Sequence, residues 1–398
     1  MPWKNLSTVL ERERFALEAL RAARSLKQLS LEYGISRKTG HKWLERYKAL
    51  GREGLRDRSR RPARCPRRKP AYWKERVVAL RKERPHWGAK KLHRILKDRF
   101  AHSRRVPSVG SIHRWLRQLG LIKRSVRRAR RGPPMPYPGL TTARALHQVW
   151  TLDFKGWFRT RDGQRQDLLT VREAYRCYLL DLRLLEDQSD ESVRRAMARI
   201  FRREGLPQII RVDNGTPFAG NGALSLSRLS VWWLRLGIRV EFTRRARPGD
   251  NAAHEQMHSR YQAEIVREPS ANRKAQQHRT NTWRHDYNHY RPHESLGQRT
   301  PGHFYKPSSR PYPQKLPALC YPKTWQIRRV RSHGDIKWKG QLRFIGRAFV
   351  GQRVGIKALS ACHWAVHLGT LLICELHSND QTGMRPAHWI RHSKTFPV

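Results

Sequence analysis

VWTLDFKGWF, residues 149–158, decides how this chain reads. It has the β-branched and aromatic bias of a strand, ends at the turn-like TRDGQ (160–164), and carries an acid, Asp153, among apolar neighbours. A carboxylate in that setting is costly unless it is paired or coordinates a metal. Two more strand candidates follow at once, QDLLTVREA (166–174) and RCYLLDLRLL (176–185). The pattern then switches period: a helix over 191–203, a strand in PQIIRVDNG (207–215), a helix in LSRLSVWWLRLGI (226–238), a strand in IRVEFTR (238–244) and a helix in HEQMHSRYQAEIV (254–266). Three hairpin-joined strands followed by alternating helix and strand predict a mixed sheet with helices on its faces.

Before this core the chain reads as helical. The segment 11–23 is amphipathic through Phe15, Leu17 and Leu20, and Ser25 with Gln28 has capping-box spacing for a second helix to Tyr33. Gly34 permits a tight turn, and Ser36 can cap RKTGHKWLERYKAL (37–50). In that third helix Trp43, Leu44 and Tyr47 are expected inside, while Arg37, Lys38, His41 and Lys42 lie near its start, as in the reading helix of a helix-turn-helix. A second trihelical pattern follows, with Val77, Leu80, Trp87, Leu92, Ile95, Leu96, Ile112, Trp115 and Leu116 as its core. Both are read as DNA-binding modules; the alternative is that either serves dimerisation. RDRSRRPARCPRRK (56–69) and KRSVRRARRGPPMPYPG (123–139) are basic, Pro-containing connectors suited to tracking phosphates, with Arg127, Arg128 and Arg130 as candidate DNA contacts. After residue 316, short β-like runs from TWQIRRV to LLICEL predict a small C-terminal β-barrel.

Charge agrees with this reading. The 398 residues hold 84 Lys and Arg against 31 Asp and Glu, a net of +53, and 38% of them are apolar, so the chain can fold and calls for a densely anionic partner. Residues 1–140 alone carry 40 basic and 10 acidic side chains. Five scattered cysteines suggest neither a disulfide framework nor a CxxC zinc clamp, which fits a reducing cytosol. No apolar run has signal-peptide or membrane-span character, so the expectation is a cytoplasmic, nucleoid-associated protein with no membrane partner.

Three carboxylates stand where the sheet would gather them: Asp153 in the first strand, Asp213 at the end of the fourth, and Glu255 on the last helix. Oxygen ligands at the carboxyl end of such a sheet suit Mg²⁺, with Mn²⁺ as a substitute, for chemistry on phosphate. Asp250 is the rival third carboxylate, but Pro248 and Gly249 mark it as a loop or cap residue. His254 and His258, four apart on a helix in HEQMH, could suggest zinc, but no cysteine pair neighbours them. Tyr290, beside His289 and Arg291, is the residue a covalent recombinase would use, a weaker reading than bracing of the core's end by Tyr287 and Arg291.

TLDFKG (151–156), RVDNGTPF (211–218), RPGDNAAHEQMH (247–258) and YNHYRPHESLGQRTPGHFY (287–305) resemble, in order, the successive blocks of the DDE transposases of bacterial insertion sequences, relatives of retroviral integrases. The resemblance implies a multidomain α+β protein: helix-turn-helix modules, a ribonuclease-H-like α/β core with a mixed sheet, and a small C-terminal β-domain. It implies a helix-turn-helix domain at 1–55, a basic linker at 56–70, a second helical DNA-binding domain at 71–124, a basic Pro-rich linker at 125–145, an integrase-like core at 146–308 and a C-terminal β-domain at 309–398. Asp153, Asp213 and Glu255 would be catalytic residues and metal ligands, two ions per site. They would free a 3′-hydroxyl at the element end and join it to target DNA, the protein binding double-stranded DNA as at least a dimer. Two positions depart from the family: Ala252 replaces the usual Gly, and Gln262 stands where many relatives carry a basic DNA contact, a role Arg260 would take over. The alternative reading is a catalytically inactive or domesticated DNA-binding regulator.

Overall fold

A computed structural model describes residues 8–59, 69–103, 105–122, 140–220, 223–244, 252–380 and 384–386. Arg127, Arg128, Arg130 and Asp250 lie outside the described residues. Residues 1–69 and 70–398 form two compact units.

The first unit is trihelical: α1 (Thr8–Leu20), α2 (Leu26–Glu32) and α3 (Arg37–Leu50), closed by a short 3₁₀ turn over Gly51–Leu55. The capping box of Ser25 and Gln28 forms, Ser36 accepts the Thr39 N–H at 3.2 Å, and Gly34 takes the left-handed conformation between the two helices. Phe15, Leu29, Trp43 and Leu55 fill the centre. Gly40 is what lets α3 approach, since a Cβ there would stand 2.6 Å from Ser30 Oγ and 2.9 Å from the Phe15 ring. The guanidinium of the buried Arg12 donates to the Leu55 carbonyl at 2.7 Å, meets Asp57 at 3.0 Å, and lies 3.9 Å over the Trp43 ring.

The second unit opens with α4 (Ala71–Glu83), α5 (Ala89–Arg99) and α6 (Val109–Gln118). The expected core is there: Val77, Leu80, Trp87, Leu92, Leu96, Ile112 and Leu116 are buried together, with Ile95 and Trp115 packed at the margin. Arg84 pairs with Asp286 at 2.8 Å and Lys90 pairs with Glu294, tying this module to the core that follows.

That core is a five-stranded mixed sheet. Its strands are β1 (Val149–Arg159), β2 (Arg165–Glu173), β3 (Leu179–Leu185), β4 (Ile209–Val212) and β5 (Arg239–Phe242), in spatial order β3-β2-β1-β4-β5. The first three are antiparallel, and β1, β4 and β5 run parallel, because α7 (Asp190–Glu204) and α8 (Arg228–Arg235) make the crossovers. Alternation assigns the faces. Trp150, Leu152, Leu169 and Val171 meet Val193, Ile200, Phe201 and Trp233 of α7 and α8. Phe158, Leu168, Leu182 and Leu184 face the opposite layer, where Met257 and Tyr261 of α9 (Ala252–Tyr261) meet Trp283 and Tyr287 of α10 (Arg273–His289). A π-turn over Gln262–Val266 extends α9.

The C-terminal expectation needs correction: the strands make an open sheet, not a barrel. β9 (Arg353–Ser360), β10 (His363–Leu368) and β11 (Leu371–His377) form a meander, flanked by β6 (Gln326–Arg329) and β12 (Arg385–Pro386), in the order β12-β11-β10-β9-β6. Among the described residues the two outer strands do not pair, and β7 (Asp335–Trp338) with β8 (Gln341–Phe344) is a separate hairpin. Closure is unnecessary because other elements cover the apolar face. Val354, Ile356, Trp364, Val366 and Ile373 pack against Ile336, Trp338 and Phe349, and against Leu226 and Val231 of the core.

Candidate active site

The parallel pairing of β1 with β4 sets the geometry. Val149, Trp150 and Thr151 lie opposite Ile209, Ile210 and Arg211, and the same register continued by two positions puts Asp213 beside Asp153. Trp150, Leu152 and Val212 belong to the cluster under α7 and α8, so alternation turns Asp153 and Asp213 toward α9. Asp213, just past the end of β4, is exposed and accepts the Gly215 N–H at 3.1 Å. Asn214 anchors the turn, its side-chain amide donating to the Thr243 carbonyl at the end of β5.

α9 is held against the same point. His258 Nε2 is 3.0 Å from Thr170 Oγ1, on the strand position that pairs with Asp153, and its Nδ1 is 3.9 Å from Asp153 Oδ2. The Thr170 hydroxyl spends its one hydrogen on the Asp153 carbonyl at 2.9 Å, so Nε2 must be the donor to Thr170. Burial, then the nearby Lys155 ammonium, lower the His258 pKa to about 4, so the ring is neutral and Nδ1 is a bare acceptor. Two acceptors therefore face each other, an arrangement that a cation or a donor between them relieves. Glu255, one turn before His258, is exposed, and neither it nor Asp213 has an ion-pair partner among the described residues. The three acids are not drawn into one tight cluster. Among the described residues, the trio of His, Cys, Asp and Glu close enough to hold an ion together lies elsewhere, at His363, Glu375 and His377.

Lys155 was not singled out by the sequence, and His258 was weighed there only as a zinc ligand. Their signals were spacing, two residues after Asp153 and three after Glu255. β1 carries a bulge between Phe154 and Trp157, with Gly156 at a φ of 89°, and Lys155 within it bonds the Gln262 side chain. An ammonium thus stands at the position where Gln262 left a basic group missing. Arg260 sits on another side of α9, among the charges around Lys91, His293 and Arg291. Arg37, Lys38, His41 and Lys42 are all exposed along the start of α3.

Family models match in four places: an integrase core domain over residues 236–301, a homeodomain-like domain over 39–116, a helix-turn-helix domain over 11–63, and the C-terminal domain of IS481 family transposases over 325–370. The chain thus carries stretches that match an integrase core and the C-terminal domain of a transposase family, and it is similar to proteins of insertion elements. Among curated relatives, this chain is 28% identical over 230 residues to the uncharacterized 31.7 kDa protein of insertion element IS407 from Burkholderia multivorans, covering 58% of this chain and 79% of the relative. It is 26% identical over 232 residues to the uncharacterized 39.2 kDa protein of IS476 from Xanthomonas euvesicatoria, covering 58% and 63%. Solved structures with some likeness to this chain include the HTLV-2 integrase catalytic core domain in complex with magnesium, at 12% identity and a TM-score of 0.31, covering 40% of this chain and 97% of that one. A simian T-cell lymphotropic virus intasome in complex with a PP2A regulatory subunit is another, at 16% identity and a TM-score of 0.34, covering 74% and 97%.

The RPH block of the chain is structural. Arg291 is buried and pairs with Glu264 of the π-turn at 2.6 Å; burial pushes the Glu264 carboxyl up, and Arg291 more than reverses it. Asn288 donates to the Leu179 carbonyl and accepts its N–H, both at 2.9 Å, serving β3 as a neighbouring strand would. His254 is wholly buried, its ring 5.5 Å from that of His258. Among the described residues no helix is long and apolar enough to cross a membrane.

Proposed function

We propose that this chain is a metal-dependent DNA transposase whose helical modules bind the terminal inverted repeats of its element and whose Asp153, Asp213 and Glu255 carry out cleavage and strand transfer. The observation that supports the reading is the parallel pairing of β1 with β4 up to Thr151 and Arg211, two residues short of Asp153 and Asp213, with His258 of α9 bonded to Thr170 opposite Asp153. The donor set fits a hard divalent cation. It is all carboxylate, two of the three are exposed and without a cationic partner among the described residues of a chain with 84 Lys and Arg, and Asp153 faces a bare imidazole nitrogen. Mg²⁺ or Mn²⁺ held there, two ions per site, would supply Lewis acidity to the attacking and the leaving oxygens.

The chain's own groups do the rest. His258 orients Asp153 and Thr170, and Lys155 offers its charge to a backbone phosphate beside the acids. In the first reaction water attacks the phosphodiester at the element end, freeing a 3′-hydroxyl. In the second, that hydroxyl attacks a target phosphodiester and displaces the target's own 3′-hydroxyl. Arg37, Lys38, His41 and Lys42 present α3 to the major groove, and two copies are needed to act on two ends.

The test is strand joining by purified protein with Mg²⁺ or Mn²⁺ and labelled DNA from the element ends. Asp153→Asn, Asp213→Asn and Glu255→Gln should each abolish joined product while leaving DNA binding intact. Joining that survives all three defeats the assignment. Tight, salt-sensitive binding without cleavage in the unaltered protein favours the inactive or regulatory alternative.

A further inference from the structure

The outer face of the C-terminal sheet carries a cluster that strand transfer does not use. His363 on β10 and His377 on β11 are direct register partners, and their rings stack with centroids 4.0 Å apart. Glu375, two residues before His377, shares its face. The Glu375 Oε2 lies 3.0 Å from His363 Nε2 and 3.9 Å from His377 Nε2. All three ligand atoms fall within 4.8 Å of one another. The intervening residues Trp364, Cys374 and Leu376 point the other way, into the apolar cluster, which fixes the trio on the open side.

The dimensions suit a tetrahedral ion. With metal–ligand bonds of about 2.0–2.1 Å, the ligand atoms of a tetrahedral zinc site stand about 3.3 Å apart, between the two separations to the Glu375 oxygen. The trio is partly buried, with side-chain exposures of 28%, 17% and 24% for His363, Glu375 and His377, enough to leave a fourth position open to water. Neighbouring charges do not fill the site. Arg385 is engaged by Asp380 at 2.8 Å, and Arg343 donates to the His377 carbonyl at 3.1 Å, holding that residue's backbone.

We propose that His363, Glu375 and His377 form a binding site for a borderline transition-metal ion, Zn²⁺ above all, separate from the carboxylate set proposed for catalysis. Two imidazoles and one carboxylate select zinc-like ions over magnesium, whereas three carboxylates do the reverse. The ion would clip β10 to β11 next to the two-residue strand β12. It would therefore raise the stability of the C-terminal sheet without being needed for strand joining.

The test uses the full chain with Asp153→Asn, Asp213→Asn and Glu255→Gln to silence the carboxylate set, freed of metal and titrated with Co²⁺. One Co²⁺ per chain should bind with the intense ligand-field absorption of a tetrahedral centre, be displaced by Zn²⁺, and raise the melting temperature. His363→Ala and His377→Ala should each weaken binding by about 10-fold or more. Glu375→Gln, equal in size, should do so with an unchanged circular dichroism spectrum, which separates ligand loss from misfolding. Absence of Co²⁺ binding in the background chain, or binding indifferent to the three further changes, would show that the trio is an ordinary imidazole–carboxylate pair.

Discussion

His258 joins the two faces of the proposed site: its Nε2 bonds Thr170 at 3.0 Å while its Nδ1 looks at the Asp153 carboxylate from 3.9 Å. A residue so placed acts through Asp153. His258→Ala should leave binding to element ends unchanged while the Mn²⁺ concentration for half-maximal joining rises about 10–100-fold. A metal titration of joining activity checks this, and an unchanged midpoint would remove His258 from the site.

Arg291 and Glu264 form a mostly buried pair, so breaking it from one side strands a charge. Arg291→Met should cost about 3–5 kcal/mol in chemical unfolding. Adding Glu264→Gln should recover much of that loss; equal losses in the single and double variants would mean that Arg291 acts by packing alone.

The exposed cations of α3 make a prediction in salt. If Arg37 and Lys38 each neutralise one phosphate, alanine at either should reduce the slope of log affinity against log salt concentration by about 1. Fluorescence anisotropy across a salt series reads this directly, and slopes identical to the unaltered protein's would place the DNA on another surface.

Gly40 is a matter of space. Gly40→Ala pushes a methyl group against Ser30 and Phe15 and should cost residues 1–69 about 1–3 kcal/mol. Hydrogen exchange should show α1 and α3 losing protection while the sheet of the core keeps its own.

His293 supplies an acid limb. Burial first, then the neighbouring Lys91, lower its pKa to about 3, well below the 6.5 of an exposed histidine. The unfolded chain therefore binds the proton more readily. The stability that His293 contributes is complete above pH 6.5 and is lost as the pH falls toward 3. Urea midpoints between pH 6.5 and 4 should fall less steeply in His293→Gln.

The sequence exposed most of the skeleton, and the reasons are local. Ser25, Ser36 and Gly34 write helix boundaries into adjacent residues, and the short run LLTV within 166–174 marks a strand, which is buried on both faces. α10 was not anticipated, because RKAQQHRTNTWRHDYNH is polar around most of its circumference and touches the core through a few positions such as Trp283 and Tyr287. The open C-terminal sheet was misread as a barrel since strand spacing says nothing about what covers a face. For the candidate site, the sequence pointed to Asp153 and Asp213 through their positions in the first and fourth strands. It did not point to Lys155 or to the place of His258, because a bulge and a cross-layer hydrogen bond have no period.

The parallel partnership of β1 and β4 also sets an order of events during synthesis. Asp153 leaves the ribosome sixty residues before Asp213 and about a hundred before Glu255, while both helical modules are already complete. A nascent or truncated chain ending before β4 holds both helical modules and Asp153 but neither Asp213 nor Glu255. Under the proposed function such a fragment would bind element ends without joining them.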